Sequence, residues 1–559
     1  MCPQLIHVQG SIVANPKHDF WERVFDNVFD NGPQIENIDE AFKLKKGSLK
    51  GSFREALESR ATISEDALSE LKIKHAAFVA GIPDKLQNAY RKGTTGIVLV
   101  GGTKYSWLGY LAILSLRNTG CTLPVEVIIP TFAEYEQEMK FCHKVLPGLN
   151  ASCVILPDKL GPNVMMKYSF KSYQFKGLAM LASSFESVLM LDSDNLMVQD
   201  PSPVFHSDLY KTKGMILWPD YWERTMSPEI YKLLDLDVDE TKRVRLQRFP
   251  FVLSEDSPQA QPEEMKKVPY SDLSGTLENL STESGQMIIN KGTHFQTLLL
   301  SLYYNVYGPK LYYRLTSLGG AGEGDKETFP LAAFALGQPF YQVKTMMKTI
   351  GFYKDNGGGF RGVGMAQRNP LEDYQLYKEH FEVPQGEGDW DHLTIEEQTQ
   401  KINKVKNKVF GGGGPASVWT MHCNFPKLDP AGLYGGEFYD KDKKRLKYRI
   451  FGKTIPEFPN NKKYDFELVQ WTNIKKSLCE DKIEFSYFKK KDVDLCEFIN
   501  NQVAWLTETT LVPPEDILSD SDDSESQTST DKEKEHKSLN ANESKNQAKE
   551  NESDSNKNE

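Results

Sequence analysis

The chain has 559 residues, 39% of them hydrophobic, 11% aromatic and 26% charged, with a formal net charge of −11. The aromatic content suffices for a large core, which excludes a wholly disordered chain, and the acidic balance excludes a protein held on nucleic acid by a basic surface. At roughly 150 residues per domain, the length sets a prior of two to four domains, or one large domain with extensions.

Residues 1–92 read as a polar, helical lead-in. Phe20, Val24, Phe25, Val28 and Phe29 fall at helical spacing, and Ser64, with Ala67 and Leu68 after it, reads as the N-cap of a second helix. The segment carries no chemistry; a stalk or a packing role fits it. The N-terminus has no basic stretch leading into a long apolar one, so no secretory signal is expected. No run of about 20 apolar residues predicts a membrane-spanning helix.

From residue 93 the pattern changes. Residues 96–102 form a short apolar run ending in glycines, a predicted strand and turn. A helix over 105–118, a strand over 123–129, a helix over 132–146, a strand over 151–156, a helix over 173–185 and a strand over 187–191 follow. This alternation predicts an α/β domain over 93–512, built on a parallel sheet with helices on both faces. The remaining segment, 513–559, contains the acidic stretch SDSDDSESQ and, from Asp520 onward, no aromatic residue. It cannot bury enough apolar surface to offset its ordering entropy, and a disordered tail is expected.

In parallel sheets ligands bind beyond the carboxyl ends of the strands. Two such ends carry suggestive residues: Gly101, Gly102, Thr103 and Lys104 at one, Asp192 and Asp194 at the other. Two carboxylates two residues apart can reach one divalent cation, and oxygen ligands suit Mg²⁺ or Mn²⁺. Such an ion would bridge the phosphates of a nucleotide sugar and stabilise charge on the leaving diphosphate. Acidic pairs are common in surface turns; placement after the strand–helix alternation favours the metal reading. Lys176, on the preceding helix, is either an ammonium near that site or part of a solvated face. His422, at a strand end, is either a third ligand or a structural histidine, and Lys427 is placed to neutralise a diphosphate.

Glu283 and Gln286 stand before the apolar residues Met287, Ile288 and Ile289, and Asp325 stands before an apolar helix. These side chains are candidates for contacts with sugar hydroxyls, although acids at a helix start also serve its dipole. Trp218, Asp220, Tyr221 and Trp222 offer rings to stack on a sugar and, in Asp220, a hydroxyl acceptor, or else form a core patch. The glycine-rich stretches 357–364 and 411–414 match neither a Walker nor a Rossmann phosphate loop and read as mobile loops or lids. Seven cysteines without CxxC spacing support neither a zinc site nor a dense disulfide framework, and leave one or two disulfides open. The sequons at Asn150 and Asn279, like those at Asn542 and Asn551, are usable only in a protein of the secretory pathway.

The stretches GIVLVGGTKYS, LRNTGCTLPVEVIIP, KSYQFKGLAMLASSFESVLMLDSDN, LWPDYWERT, ESGQMIINK, GDKETF and TMHCNFPKLDP occur in this order across roughly residues 90–440. Together they resemble the fungal Golgi α-mannosyltransferases of glycosyltransferase family 71, most of all the members that add α-1,2-linked branches to mannan. The resemblance implies a GT-A fold with a Rossmann-like nucleotide-sugar-binding sheet, GDP-mannose as donor, Mn²⁺ (or Mg²⁺) as cofactor, and retention at the anomeric carbon. It implies a metal site at Asp192, Asp194 and His422, and donor contacts at Lys176 and Lys427. Gly101, Gly102, Thr103 and Lys104 would border the nucleotide, while Glu283, Gln286 and Asp325 would face the donor sugar and acceptor as the catalytic set. It further implies a mannan acceptor on glycoproteins, a Golgi location with a type II membrane anchor that is not visible here, and complexes with other mannosyltransferases. An α-1,3 linkage and a catalytically silent scaffold on the same fold stay open as alternatives.

Overall fold

The structure, a computed structural model, describes residues 16–47, 49–86, 89–253, 261–382, 390, 393–455, 458, 464–489 and 494–511. The acidic tail and the sequons at Asn542 and Asn551 lie outside the described residues.

The lead-in forms helices α1 (Pro16–Asp30) and α2 (Glu65–Ala80), and the Ser64 hydroxyl accepts from the Ala67 amide as the expected N-cap. It does not stand off as a stem. Phe20, Trp21, Phe25, Leu71 and Phe78 are buried in one cluster with Val98, Val188 and Met190 of the central sheet.

The next elements follow the expected alternation: β1 (Arg91–Val100), α3 (Lys104–Asn118), β2 (Val125–Ile129), α4 (Phe132–Lys140), β3 (Ala151–Ile155), α5 (Gln174–Ala182) and β4 (Phe185–Leu191). Several boundaries shift. β1 opens at Arg91, ahead of the expected 96, and α4 ends at Lys140, short of the expected 146. The helix expected over 173–185 ends at Ala182, where Ser183 takes ψ 144° and turns the chain out, and Phe185 opens the next strand instead.

Past β4 the chain forms β5 (Asn195–Met197), β6 (Met215–Pro219), β7 (Thr282–Asn290), α6 (Lys291–Val306), α7 (Thr328–Ala335), β8 (Tyr341–Gln342), β9 (Lys348–Tyr353), β10 (Phe360–Arg368) and β11 (Val418–His422). The main sheet has seven strands in the order β8-β6-β7-β4-β1-β2-β3. The four strands of the alternation, β1, β2, β3 and β4, are mutually parallel as expected, whereas β7 runs antiparallel to both β4 and β6. The apolar run in β7 is buried on both sides, and such a run carries no directional signal. Strands alternate their contributions. Val98, Val188, Met190, Met287 and Ile289 face the cluster shared with α1 and α2. Ile97, Leu99, Leu189, Leu191 and Ile288 face a second cluster, shared with Leu108 and Leu111 of α3. Both faces are therefore covered, as near-continuous apolar strands require.

A second, four-stranded sheet is ordered β9-β10-β11-β5. β4 and β5 belong to different sheets and are separated only by Asp192, Ser193 and Asp194, so the acidic turn sits where the chain steps from one sheet to the other. Of the glycine stretches expected as mobile loops or lids, the first forms a turn and part of a strand, and the second is hydrogen-bonded by Arg368 of β10. Gly357 and Gly359 take positive φ in the turn between β9 and β10, whose ladder already includes Gly362 and Gly364. Over 411–414 the Arg368 guanidinium, fully buried, donates to the carbonyls of Gly412 and Ala416.

Helices α8 (Phe466–Lys475) and α9 (Cys496–Thr509) complete the second cluster through Trp471, Phe498 and Leu506. Disulfides join Cys142 to Cys153 and Cys479 to Cys496, while Cys121 and Cys423 are buried and free. Among the described residues no helix is long and apolar enough to cross a membrane.

Candidate metal and donor site

The acidic turn is pinned from three directions. The Asp192 amide donates to the Gly285 carbonyl of β7 at 2.8 Å, the Ser193 hydroxyl to the Val100 carbonyl at the end of β1 at 2.6 Å, and the Cys423 amide to the Asp194 carbonyl at 2.9 Å. The second bond sets the turn beside Gly101, Gly102, Thr103 and Lys104. There Gly102 takes φ +101°, its amide donates to Ser106 Oγ at 3.0 Å, and a Cβ would lie 2.8 Å from Glu134 Oε1. Both strand ends singled out in the sequence therefore meet at one edge of the sheet.

His422 reaches the same place from β11, where it pairs with Asn195 in the ladder. One ligand atom each from Asp192, Asp194 and His422 lies within 4.8 Å of the others. His422 Nε2 is 3.3 Å from Asp194 Oδ1, and His422 Nδ1 is 2.9 Å from Glu283 Oε1. Two hard oxygens and one imidazole nitrogen, converging over this span, fit a divalent cation of the Mg²⁺ or Mn²⁺ kind.

Two lysines balance the acids. Lys176 is not on a solvated face: it is 6% exposed, its Nζ lies 3.0 Å from Asp192 and 3.3 Å from Asp325, and it donates to the Ser284 carbonyl at 2.8 Å. Lys427 pairs with Asp194 Oδ2. Burial opposes the charge on Lys176, but Asp192 and Asp325 outweigh it, and its pKa rises above the ordinary lysine value. Burial would push the Asp194 carboxyl up; Lys427 and His422 overcome that and hold it well below the usual carboxylate range. Burial pushes Asp192 up, Lys176 pulls it down and Asp194 adds to the rise, with a net upward direction. On His422, burial disfavours the charge, but the Asp194 and Glu283 carboxylates on its two sides push its pKa up to about 10.

The other candidates sort by what they touch. Asp325 joins the cluster: its Oδ1 accepts from the Ser284 hydroxyl at 3.1 Å, and Lys176 faces its other oxygen. Glu283 is buried against His422, and Gln286 Nε2 donates to its Oε2 at 2.6 Å. Gln286 has no exposed surface, and both ends of its amide are engaged by Asn195 and Glu283. Asp220 is bound by Lys326 at 2.6 Å and by the Tyr221 amide at 2.7 Å. Trp218 is no stacking platform for a sugar: it is fully buried and stacks on Trp419, with ring centroids 4.9 Å apart.

Ser193 and Asn195 belong to the acidic turn, and Ser284 and Lys326 to the stretches around Glu283 and Asp325, but the sequence assigns none of the four a role of its own. Gln367 offered no signal, since glutamine is ordinary in strands. Gln367 Nε2 lies 3.3 Å from Glu283 Oε2.

The central strand of the main sheet thus ends in an acidic pair, and a distant histidine closes the cluster. The sequence matches the protein-family profile described as "Mannosyltransferase putative" over residues 94–369. It is 44% identical to alpha-1,2-mannosyltransferase MNN23 of Candida albicans, over 88% of this chain and 85% of that protein. It is 36% identical to alpha-1,2-mannosyltransferase MNN2 of Saccharomyces cerevisiae, over 80% of this chain and 76% of that protein. Among solved structures, the apo form of mouse xyloside xylosyltransferase 1 matches at 14% identity and a TM-score of 0.26, covering 45% of this chain and 86% of that one. The chain belongs to the fungal α-1,2-mannosyltransferase family.

Proposed function

We propose that this protein transfers mannose from GDP-mannose, with retention, to a mannose hydroxyl of a mannan outer chain on glycoproteins, forming an α-1,2 linkage. The observation that carries the reading is the convergence of Asp192, Asp194 and His422 at the carboxyl edge of the sheet, in a chain of the α-1,2-mannosyltransferase family. Asp192, Asp194 and His422 would hold Mn²⁺ or Mg²⁺, which when bound would supply charge to stabilise the departing diphosphate. Lys427, at the mouth of the cluster with its side chain 28% exposed, is the cation available to the phosphates. Lys176 is held by Asp192, Asp325 and Ser284 and fixes the carboxylates around it. Glu283 is engaged by His422 and Gln286, and Asp325 by Lys176 and Ser284. Donors on both oxygens of Glu283 disfavour attack by that carboxylate on the sugar's far face, which favours entry of the acceptor on the same face as the leaving phosphate, with that phosphate taking the proton.

The test is incubation with GDP-mannose and α-1,6-mannan oligomers, followed by linkage assignment by NMR. An α-1,2 product that disappears with EDTA is expected. An α-1,3 product would overturn the linkage, and folded protein without turnover would favour the silent scaffold.

The reading places the protein in the secretory pathway, in the Golgi, with a membrane-anchored arrangement and partner mannosyltransferases as in the resemblance above. Two disulfides support an oxidising compartment. Of the two described sequons, Asn150 is exposed, whereas Asn279 is 2% exposed and accepts from the Arg224 amide at 2.7 Å. Expressed in a yeast secretory pathway, the protein is expected to carry a glycan at Asn150 and none at Asn279. In a background carrying Asn542→Gln and Asn551→Gln, which removes the two other sequons, the endoglycosidase-sensitive gel shift should vanish in Asn150→Gln and persist in Asn279→Gln.

A further inference from the structure

Behind the metal cluster runs a buried chain of polar side chains that neither the motifs nor the relatives assign. It starts on β11, where the Thr420 hydroxyl donates to Asn195 Oδ1 on β5. Asn195 Nδ2 donates to Gln286 Oε1 on β7. Gln286 Nε2 donates to Glu283 Oε2 at 2.6 Å, and Glu283 Oε1 meets His422 Nδ1 at 2.9 Å, back on β11. Thr420, Asn195 and Gln286 have no exposed surface, and Glu283 and His422 are 4% and 8% exposed. Each link fixes the next. A hydroxyl that donates to Asn195 leaves its amide group facing Gln286, and an amide oxygen so occupied turns the Gln286 nitrogen toward Glu283. Glu283 is then a carboxylate held by donors: Gln286, Gln367 at 3.3 Å and the Gly285 amide. Being acceptor-only, it demands a proton on the imidazole nitrogen that it faces.

We propose that Glu283, oriented by the Gln286–Asn195–Thr420 relay, is the positioning residue of the metal site. It keeps a proton of His422 on Nδ1 and directs Nε2 toward the two aspartates, where a bound cation would take the place of the Nε2 proton. This deepens the metal reading given above and rests on it. Ligating histidines characteristically donate their second nitrogen to a carboxylate, and loss of that partner weakens metal binding by roughly 10- to 100-fold. The relay also explains why a glutamate and a glutamine, two types suited to sugar contacts, stand here buried: they serve the histidine. It ties β5 and β11 of the second sheet to β7 of the first, so the geometry of the ligand set depends on both sheets keeping register.

The experiment measures Mn²⁺ binding to the full chain by isothermal titration calorimetry without donor, alongside the melting temperature in excess EDTA. Glu283→Gln is expected to weaken Mn²⁺ binding roughly 10- to 100-fold while the EDTA melting temperature stays near that of the wild type. Thr420→Val, which removes only the far end of the relay, is expected to weaken it several-fold. Unchanged Mn²⁺ affinity in folded Glu283→Gln overturns the proposal. If Glu283→Gln does not fold, Thr420→Val decides: weaker binding supports the relay, and wild-type binding overturns it. Asp194→Asn separates the two layers. Loss of binding there with none in Glu283→Gln sinks the relay alone, whereas wild-type binding in Asp194→Asn sinks the metal site and the relay with it.

Discussion

Asp194→Asn is expected to lower mannose transfer on the order of a thousandfold, equivalent to about 4 kcal/mol of transition-state stabilisation. Asp194 stands at the centre of the cluster: one oxygen faces His422 Nε2 at 3.3 Å and the other is paired with Lys427. Asparagine keeps the shape and removes the charge, so it leaves the turn's backbone bonds to Gly285 and Cys423 in place. The loss then falls on cation binding and on the departing diphosphate, and not on folding. Lys427, whose side chain is 28% exposed, can turn to water when its partner is neutralised, which limits the stability cost of an unpaired charge. The double variant Asp192→Ala with Asp194→Ala is expected to show no transfer above background. The check is a radiolabelled-mannose transfer assay over a Mn²⁺ series, with circular dichroism as the folding control. Transfer by the folded double variant within threefold of wild type would remove the basis of the proposed chemistry.

The acidic turn was legible because everything that makes it a site is local. A β-branched and aliphatic run leads into it, and strand–helix pairs precede it, so its place at a sheet edge followed from pattern alone. Lys176 was legible only as a candidate, since a lysine on a helix is ordinarily solvated; its burial arises because Asp192, Asp325 and Ser284 surround it from two other segments. His422 lies far along the chain from the aspartates, and spacing says nothing about a contact made by strand pairing between β11 and β5. Other features were hidden in principle. The direction of β7 cannot be read from Met287, Ile288 and Ile289, because a run buried on both sides looks alike in parallel and antiparallel sheets. Trp218 looked equally suited to sugar and core until its partner Trp419 was placed against it. Asp325 and Lys326 are neighbours in sequence yet serve different groups, the first facing Lys176 and the second Asp220. A helix-start reading of that segment, though sound, could not separate them.

Wild-type stability is expected to rise with pH between 7 and about 10 relative to that of Lys291→Met. Lys291 opens α6 with no exposed surface, and its Nζ donates to the carbonyls of Met180 at 3.0 Å and Ser183 at 2.6 Å, at the end of α5. The same helix presents Lys176 to the cluster, and the chain leaves it directly into β4 and the acidic turn, so this buried amine supports the approach to the site. Burial pushes its pKa down to about 7, with Glu126 and Glu186 only partly restoring it. In the unfolded chain a lysine keeps its proton up to about pH 10.4. Between these values the unfolded state binds one proton more than the native state, and stability rises with pH. The contribution is therefore fully present above the unfolded value and is lost as pH falls to 7 and below, where the native protein must bury an ammonium ion. At about 1.4 kcal/mol per pH unit the full swing is about 5 kcal/mol. Methionine carries no proton and removes the swing. It also leaves two carbonyls without their donor, a cost that does not vary with pH. Urea unfolding of both proteins at pH 6, 8 and 10 separates the two effects: a constant offset reports the lost hydrogen bonds, and a gap that widens in favour of the wild type toward pH 10 reports the neutral amine. Parallel curves across that range would mean that Lys291 is charged in the folded protein and that its carbonyl partners, with Glu126 and Glu186, suffice to hold an ammonium there.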